Sequence, residues 1–235
     1  MARQFAARGH NVALAARRQE QLEDLRDSIV AAHPKITVSV HRLDVIDPEQ
    51  VWNVMTSAIG VHGALDRVIV NAGLGKGGRI GGGYAPANRQ TMTTNVLGSL
   101  NQAEAAMEHF YERGSGHLVL ISSMSAMRGM PGAMNAYAAS KVALGHLAEG
   151  IRSDLIGRRD HDIAVTTLFP GYIATEMNAR VAGKQPLTTG LEAGCQAMVA
   201  AIDREVATKA VPGWPWALIA PVLKYAPLGL VRRMI

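Results

Sequence analysis

Tyr137 and Lys141 stand four residues apart in AYAASK, within a stretch whose apolar residues recur at helical spacing. Residues four apart on a helix share a face, so the phenol and the ammonium are expected to be neighbours. A tyrosine ionises near 10, too high for ready proton exchange at neutral pH, and a nearby cation favours the phenolate and lowers that value. Moving it by ~3 units takes about 4 kcal/mol of differential interaction. Ser123 ends the strand-like run HLVLISS. Its hydroxyl could hold a carbonyl oxygen while Tyr137 passes that oxygen a proton. A Y-x-x-x-K pair by itself is common on solvated helix faces, so the elements around it must carry the reading. Ser123 precedes Tyr137 by 14 residues; Ser125, 12 before, is the alternative.

Those elements alternate. Met1 to Arg8 reads as the end of a helix stopped by Gly9, and NVALAAR (Asn11 to Arg17) as a short apolar strand. Leu22, Leu25 and Ile29 mark a helix that ends at His33-Pro34, and ITVSVHRL alternates as a strand. Asp47-Pro48-Glu49-Gln50 is a helix start, with an N-cap, a proline in the first turn and a Gln three residues on. LDRVIVNAG, HLVLISS, IAVTTLFPG and ATKAVPG read as further strands. Helices are expected over Asn88 to Arg113, about Asn135 to Ile156, and about Leu191 to Arg204. Strands alternating with helices predict an α/β fold, a Rossmann-like doubly wound parallel sheet covered on both faces. With no linker to divide it, residues 1–235 are read as one domain.

Gly73, Gly75 and Gly78 fit G-x-G-x-x-G behind an apolar strand. A dinucleotide fingerprint also needs a helix opening directly afterwards and an acid about 20 residues on. Here Gly78 is followed by Arg79, Ile80 and three more glycines, and no Asp or Glu occurs between Asp66 and Glu104. Gly75 to Gly83 therefore reads as a loop beside a site rather than a phosphate cradle.

Composition narrows the classes. Of 235 residues 48% are hydrophobic and 18% charged, enough for a substantial core. The net charge of +5 is dispersed and only 5% of residues are aromatic, which argues against a nucleic-acid surface. The single cysteine, Cys195, and the absence of an apolar leader suit a cytoplasmic location. No run approaches the ~20 apolar residues of a membrane span. The tail PGWPWALIAPVLKYAPLGLVRRMI is apolar but broken by prolines. It suits either a membrane surface, with Arg232 and Arg233 toward anionic lipid, or a cover over a substrate pocket. No metal site is expected.

Taken in order, ALAARR, LDV, NAG, the Asn of TTNVLGS, ISS, YAASK and FPGYIAT resemble the motifs of the short-chain dehydrogenase/reductase family over nearly the whole chain. The resemblance implies an oxidoreductase. Tyr137 would be the general acid/base. Lys141 would lower its pKa and grip the nicotinamide ribose. Ser123 would orient the substrate carbonyl, and Asn95 would hold a water in the proton relay. It also implies cofactor contacts from Asp44 and Val45 on the adenine side, from Asn71, Ala72 and Gly73, and from Pro170, Gly171, Ile173 and Thr175 near the nicotinamide and pyrophosphate. A homo-oligomer assembled through long helices is expected on the same ground. An NAD-preferring site places an acid at the end of NVALAAR; here Ala16 is followed by Arg17 and Arg18, which suit a 2′-phosphate, so NADP(H) is favoured over NAD(H).

The family's T-G-x-x-x-G-x-G turn and first strand should precede RQFAARGHNVALAAR, and Met1 already lies inside the helix that follows that turn. The expectation is a natural protein longer by about 15–25 residues; the alternative is a truncated chain with two unpaired strand edges. An apolar ketone, acyl or steroid-like substrate is expected from the tail and from the segment after Thr175. Two rival readings stand beside this one. The first is a cofactor-free binding or regulatory relic of a reductase. The second is a Ser–Lys hydrolase, disfavoured because Ser123 lies outside a G-x-S-x-G elbow.

Overall fold

The computed structural model describes residues 1–158, 160–174 and 187–234, with side chains to residue 231. Strands β1 (Val12–Ala16), β2 (Val38–Arg42), β3 (Arg67–Val70), β4 (Ser115–Ile121), β5 (Asp162–Pro170) and β6 (Thr208–Val211) alternate with helices. These are α1 (Ala2–Ala6), α2 (Gln19–Ala32), α3 (Pro48–His62), α4 (Ala85–Met92), α5 (Gly98–Arg113), α6 (Asn135–Leu155), α7 (Leu191–Ile202), α8 (Gly213–Tyr225) and α9 (Leu228–Met234). Every ladder is parallel, as alternating elements require.

The strands form two parallel sheets, β1-β2, and β3-β4-β5-β6 in that order. β1 and β3 share no ladder, so each is an edge. Both faces of the larger sheet are covered. Leu118 and Leu120 of β4 join Val70 and Val165 beneath Ala106, Met107 and Phe110 of α5 and Leu144 and Ala148 of α6. The alternate residues Val119 and Ile121 join Leu168 beneath Phe5 of α1 and Met198, Val199 and Ile202 of α7. One side chain in two goes to each core, the expected pattern for a strand buried on both faces.

The start of α3 follows its local chemistry. Asp47 accepts from the Gln50 amide at 3.0 Å, and Pro48 sits in the first turn. Gln50 does not reach back to its cap; its side chain accepts from the Asp44 amide instead. The long helix expected over Asn88 to Arg113 is a correction. It begins at Ala85, three residues earlier, and is interrupted by a π turn at Thr93–Leu97 between α4 and α5. The tail is helical, as α8 and α9, despite Pro215 and Pro221. The glycine run is loop: no helix begins between Val70 and Ala85.

Candidate active site

The carboxyl ends of the parallel strands gather the expected site residues on one edge, the edge where open α/β sheets bind ligands. Ser122 and Ser123 follow β4, Gly73 follows β3, Gly171 follows β5, Arg17 follows β1 and Asp44 follows β2. Helix α6 brings Tyr137 and Lys141 against the end of β4. The Ser122 hydroxyl donates to the Lys141 backbone carbonyl at 2.7 Å, a buried bond that fixes strand end to helix.

Lys141 is buried, 4% exposed, and its Nζ donates to the backbone carbonyl of Ile121 at 2.9 Å. Nζ also lies 5.8 Å from the centre of the Tyr137 ring. Burial pulls the ammonium down to about 8. The Tyr137 phenol is held above its ordinary value, because burial outweighs the hydrogen bonding of Ser123, which acts in the opposite sense. Burial, not the Lys141 charge, sets the direction of this shift. The ammonium is aimed at the Ile121 carbonyl, and desolvation governs the ring. A protonated phenol at neutral pH suits donation to a carbonyl oxygen.

Of the two candidate serines, Ser123 meets Tyr137. A 3₁₀ turn at Met124–Met127 places Ser125 behind it, where the Ser125 amide and hydroxyl donate to Ser123 Oγ at 3.2 and 3.0 Å. Asn95 is fully buried in the π turn. Its Oδ1 accepts from the Leu74 amide at 2.7 Å. Its Nδ2 donates to the Leu74 carbonyl and to Ser140 Oγ, both at 2.9 Å. Ser140 in turn donates to the Tyr137 carbonyl at 2.7 Å. The Asn95 side chain is thus committed to positioning, and a water relay there would have to use its backbone carbonyl. Gly73 is close to the same cluster: a Cβ at this position would lie 3.3 Å from Lys141 Nζ.

A cavity of about 410 Å³ is lined by Arg17, Asp44, Ile46, Ala85, Pro86, Arg89, Gln90, Thr93 and Thr94. Ser123, Tyr137 and Lys141 do not line it; Thr93 and Thr94, which do, belong to the π turn that also carries Asn95. Arg89 was not legible as a site residue: it approaches Arg17 only in the folded chain, and no local motif marks it. Other expected cofactor residues are placed differently. The Val45 side chain is in the core beneath Gly98, and Ala72 packs against the same cluster. Ile173 is buried against α7 and bridges to Thr189. Gly171 closes on Trp216, whose ring a Cβ would meet at 2.2 Å, and its amide donates to Val211. Asn71 is exposed, Pro170 ends β5, and Arg18 caps α2. Thr175 lies outside the described residues.

Residues 1–186 match the short chain dehydrogenase family. The chain belongs to that family. It is an oxidoreductase of the short-chain dehydrogenase type, a family that uses NAD(H) or NADP(H). It is 45% identical over 233 residues to an uncharacterized oxidoreductase of Mycobacterium tuberculosis, covering 99% of this chain and 90% of the relative. The fold matches a short-chain dehydrogenase/reductase from Burkholderia phymatum in complex with NAD. The TM-score is 0.81 at 21% identity, over 94% of this chain and 85% of that one. It also matches an alcohol dehydrogenase from Thermococcus sibiricus complexed with 5-hydroxy-NADP, with a TM-score of 0.74 at 23% identity, over 89% and 87%. No helix among the described residues is long and apolar enough to cross a membrane.

Proposed function

We propose that this short-chain dehydrogenase interconverts a carbonyl and an alcohol on an apolar substrate, using NADP(H) in preference to NAD(H). The observation that carries the chemistry is the convergence of Ser123, Tyr137 and Lys141 at the end of β4. Ser123 orients the carbonyl oxygen, and the Tyr137 phenol, kept protonated by burial, delivers a proton to it. Lys141 holds a positive charge one turn from that phenol. Such a charge favours the phenolate left after transfer.

The residues present suit a dinucleotide. The cavity beside Asn95 falls within the ~300–1,000 Å³ of ligand pockets. It presents two guanidiniums, Arg17 and Arg89, that make no ion pair among the described residues. Two unpaired guanidiniums facing one cavity match a phosphate monoester, which favours the 2′-phosphate of NADP(H). Gly73 leaves the cofactor side of Lys141 free of a Cβ. The bound nicotinamide would supply or accept the hydride; the chain's own residues manage the proton. The membership in an oxidoreductase family and the intact proton-handling cluster favour an enzyme over a binding relic.

The test is Tyr137→Phe. It should lower ketone reduction by at least about a thousandfold, well beyond the usual range for removing one hydrogen bond, while NADPH binding by fluorescence titration stays within about threefold. Retained turnover in the variant would remove Tyr137 as the proton donor. Absence of saturable NADPH binding by the wild-type protein would favour the relic.

A further inference from the structure

Helix α8 is apolar on two opposite faces, and only one is covered. Trp216, Ile219, Ala220 and Leu223 recur at helical spacing and pack on Met124, Met127, Phe169 and Tyr172. On the other side Trp214, Leu218, Val222 and Tyr225 are 76%, 61%, 45% and 76% exposed. Leu218, Val222 and Tyr225 fall at helical spacing, Trp214 precedes them where the chain kinks, and Leu228 and Leu230 of α9 are exposed as well. A helix apolar all round is ordinarily buried all round, and a contiguous exposed apolar face marks an interaction site.

Charge selects the occupant. From Val206 to Ile235 the chain carries Lys209, Lys224, Arg232 and Arg233 and no Asp or Glu. A second copy docking through this face would set an acid-free, cationic segment against itself, because a two-fold interface pairs a patch with its own copy. An anionic lipid surface complements the segment. Each Lys or Arg held near such a surface adds to the attraction, and buried apolar side chains add the rest. Trp214 and Tyr225 lie toward the two ends of the exposed face, and Trp and Tyr are the residues that favour the bilayer interface.

We propose that the outer face of α8 docks on an anionic bilayer surface. The inner face of the same helix touches Met124, next in the chain to Ser123, and Phe169 and Tyr172, which flank Pro170 and Gly171. Docking therefore sets the carboxyl edge of the sheet beside the lipid. On the oxidoreductase reading above, which this last step rests on, a bilayer-dissolved carbonyl compound then reaches the site without crossing water. The docking itself is independent of that reading.

The test is flotation of the purified protein with vesicles of phosphatidylcholine alone and of phosphatidylcholine with phosphatidylglycerol. The wild-type protein should float with the anionic vesicles, not with the neutral ones, and should release as salt rises. The double variant Leu218→Asp/Tyr225→Asp should bind at least about tenfold more weakly, with unchanged thermal midpoint and unchanged turnover of a water-soluble ketone. Should that pair disturb folding, Leu218→Gln alone must still weaken binding. Failure of the wild-type protein to float with anionic vesicles overturns the proposal, as does equal flotation of wild type and variant. A wild-type dimer that Leu218→Asp/Tyr225→Asp converts to monomer in sedimentation would also overturn it, assigning the face to a second copy. Loss of ketone turnover in the wild type with flotation intact would sink the enzymatic reading and leave the docking standing.

Discussion

The Lys141 ammonium donates to the backbone carbonyl of Ile121 at 2.9 Å, one residue before the Ser122-Ser123 pair that closes β4. A charged side chain that is 4% exposed is thereby fastened to the strand that positions the serine. Burial brings its ionisation to about 8, close to working pH.

The first prediction concerns that proximity. The cationic form of Lys141 is the one that supports the phenolate, and it is lost as pH rises through about 8. The kcat/KM for ketone reduction should therefore be flat below neutrality and fall by about tenfold per pH unit above the break. Arginine stays charged throughout this range. Lys141→Arg should keep residual activity with the alkaline limb moved upward. An unmoved limb would assign the break to another group.

Asn95 presents a different case. Its side chain makes three hydrogen bonds, two to Leu74 and one to Ser140, in a fully buried position. Asn95→Ala leaves those partners unsatisfied, at a cost of about 2–4 kcal/mol in unfolding free energy. Because Ser140 is bonded to the backbone of Tyr137, kcat should fall as well, by roughly tenfold or more for a misplaced donor. Urea unfolding and steady-state kinetics separate the two. A loss of stability with kcat unchanged would show that the Asn95 side chain does not position Tyr137.

Why some of this was legible and some was not follows from the range of the interactions. Asp47-Pro48 announces α3 because a cap and a first-turn proline are local, and HLVLI announces β4 because a strand buried on both faces needs a continuous apolar run. The π turn at Asn95 left no mark, since one inserted residue hardly alters the apolar pattern that α4 and α5 share. Helix α8 was hidden by Pro212, Pro215, Pro221 and Pro227, which break the local pattern; packing against Met124 and Phe169 compensates. The choice between Ser123 and Ser125 was open in sequence because spacing cannot show which way a short turn rolls; the 3₁₀ turn turns Ser125 behind. Arg89 was invisible because it meets Arg17 only across the cavity.

That meeting yields the third prediction. If Arg17 and Arg89 hold the 2′-phosphate, Arg17→Ala and Arg89→Ala should each weaken NADPH binding by about tenfold, the scale of one charge-assisted contact. NADH binding should change by less than about threefold. Calorimetric titration with both dinucleotides reads the difference directly. Equal losses for NADH and NADPH would assign the arginines to something both molecules share. A wild-type protein that binds the two equally would remove the NADP(H) preference itself.

The last prediction lies at the other end of the sheet. His117 of β4 is 2% exposed and is gripped from both sides. Arg67 Nε donates to His117 Nδ1 at 2.9 Å, so the ring proton resides on Nε2, which faces Thr166 Oγ1 at 2.9 Å. Burial, then the Arg67 charge, hold the imidazole down at about 4, with Asp203 opposing them. In the unfolded chain the same group ionises near 6.5. Between those values the unfolded state binds the extra proton, so stability rises with pH. The contribution is complete above about 6.5 and is lost as pH falls toward 4. Its size, from the shift, is on the order of 3 kcal/mol. His117→Gln should cost stability at pH 7, because Arg67 and Thr166 lose their partner, but much of that cost should vanish by pH 4.5. The difference between wild type and variant is the informative quantity, because the Arg67 pairs with Asp203 and Glu205 weaken in acid in both, while Glu205 Oε1, 3.8 Å from His117 Nδ1, adds to the difference only in the wild type. A difference in urea unfolding free energy that is the same at pH 7 and pH 4.5 would show that His117 does not carry the acid limb.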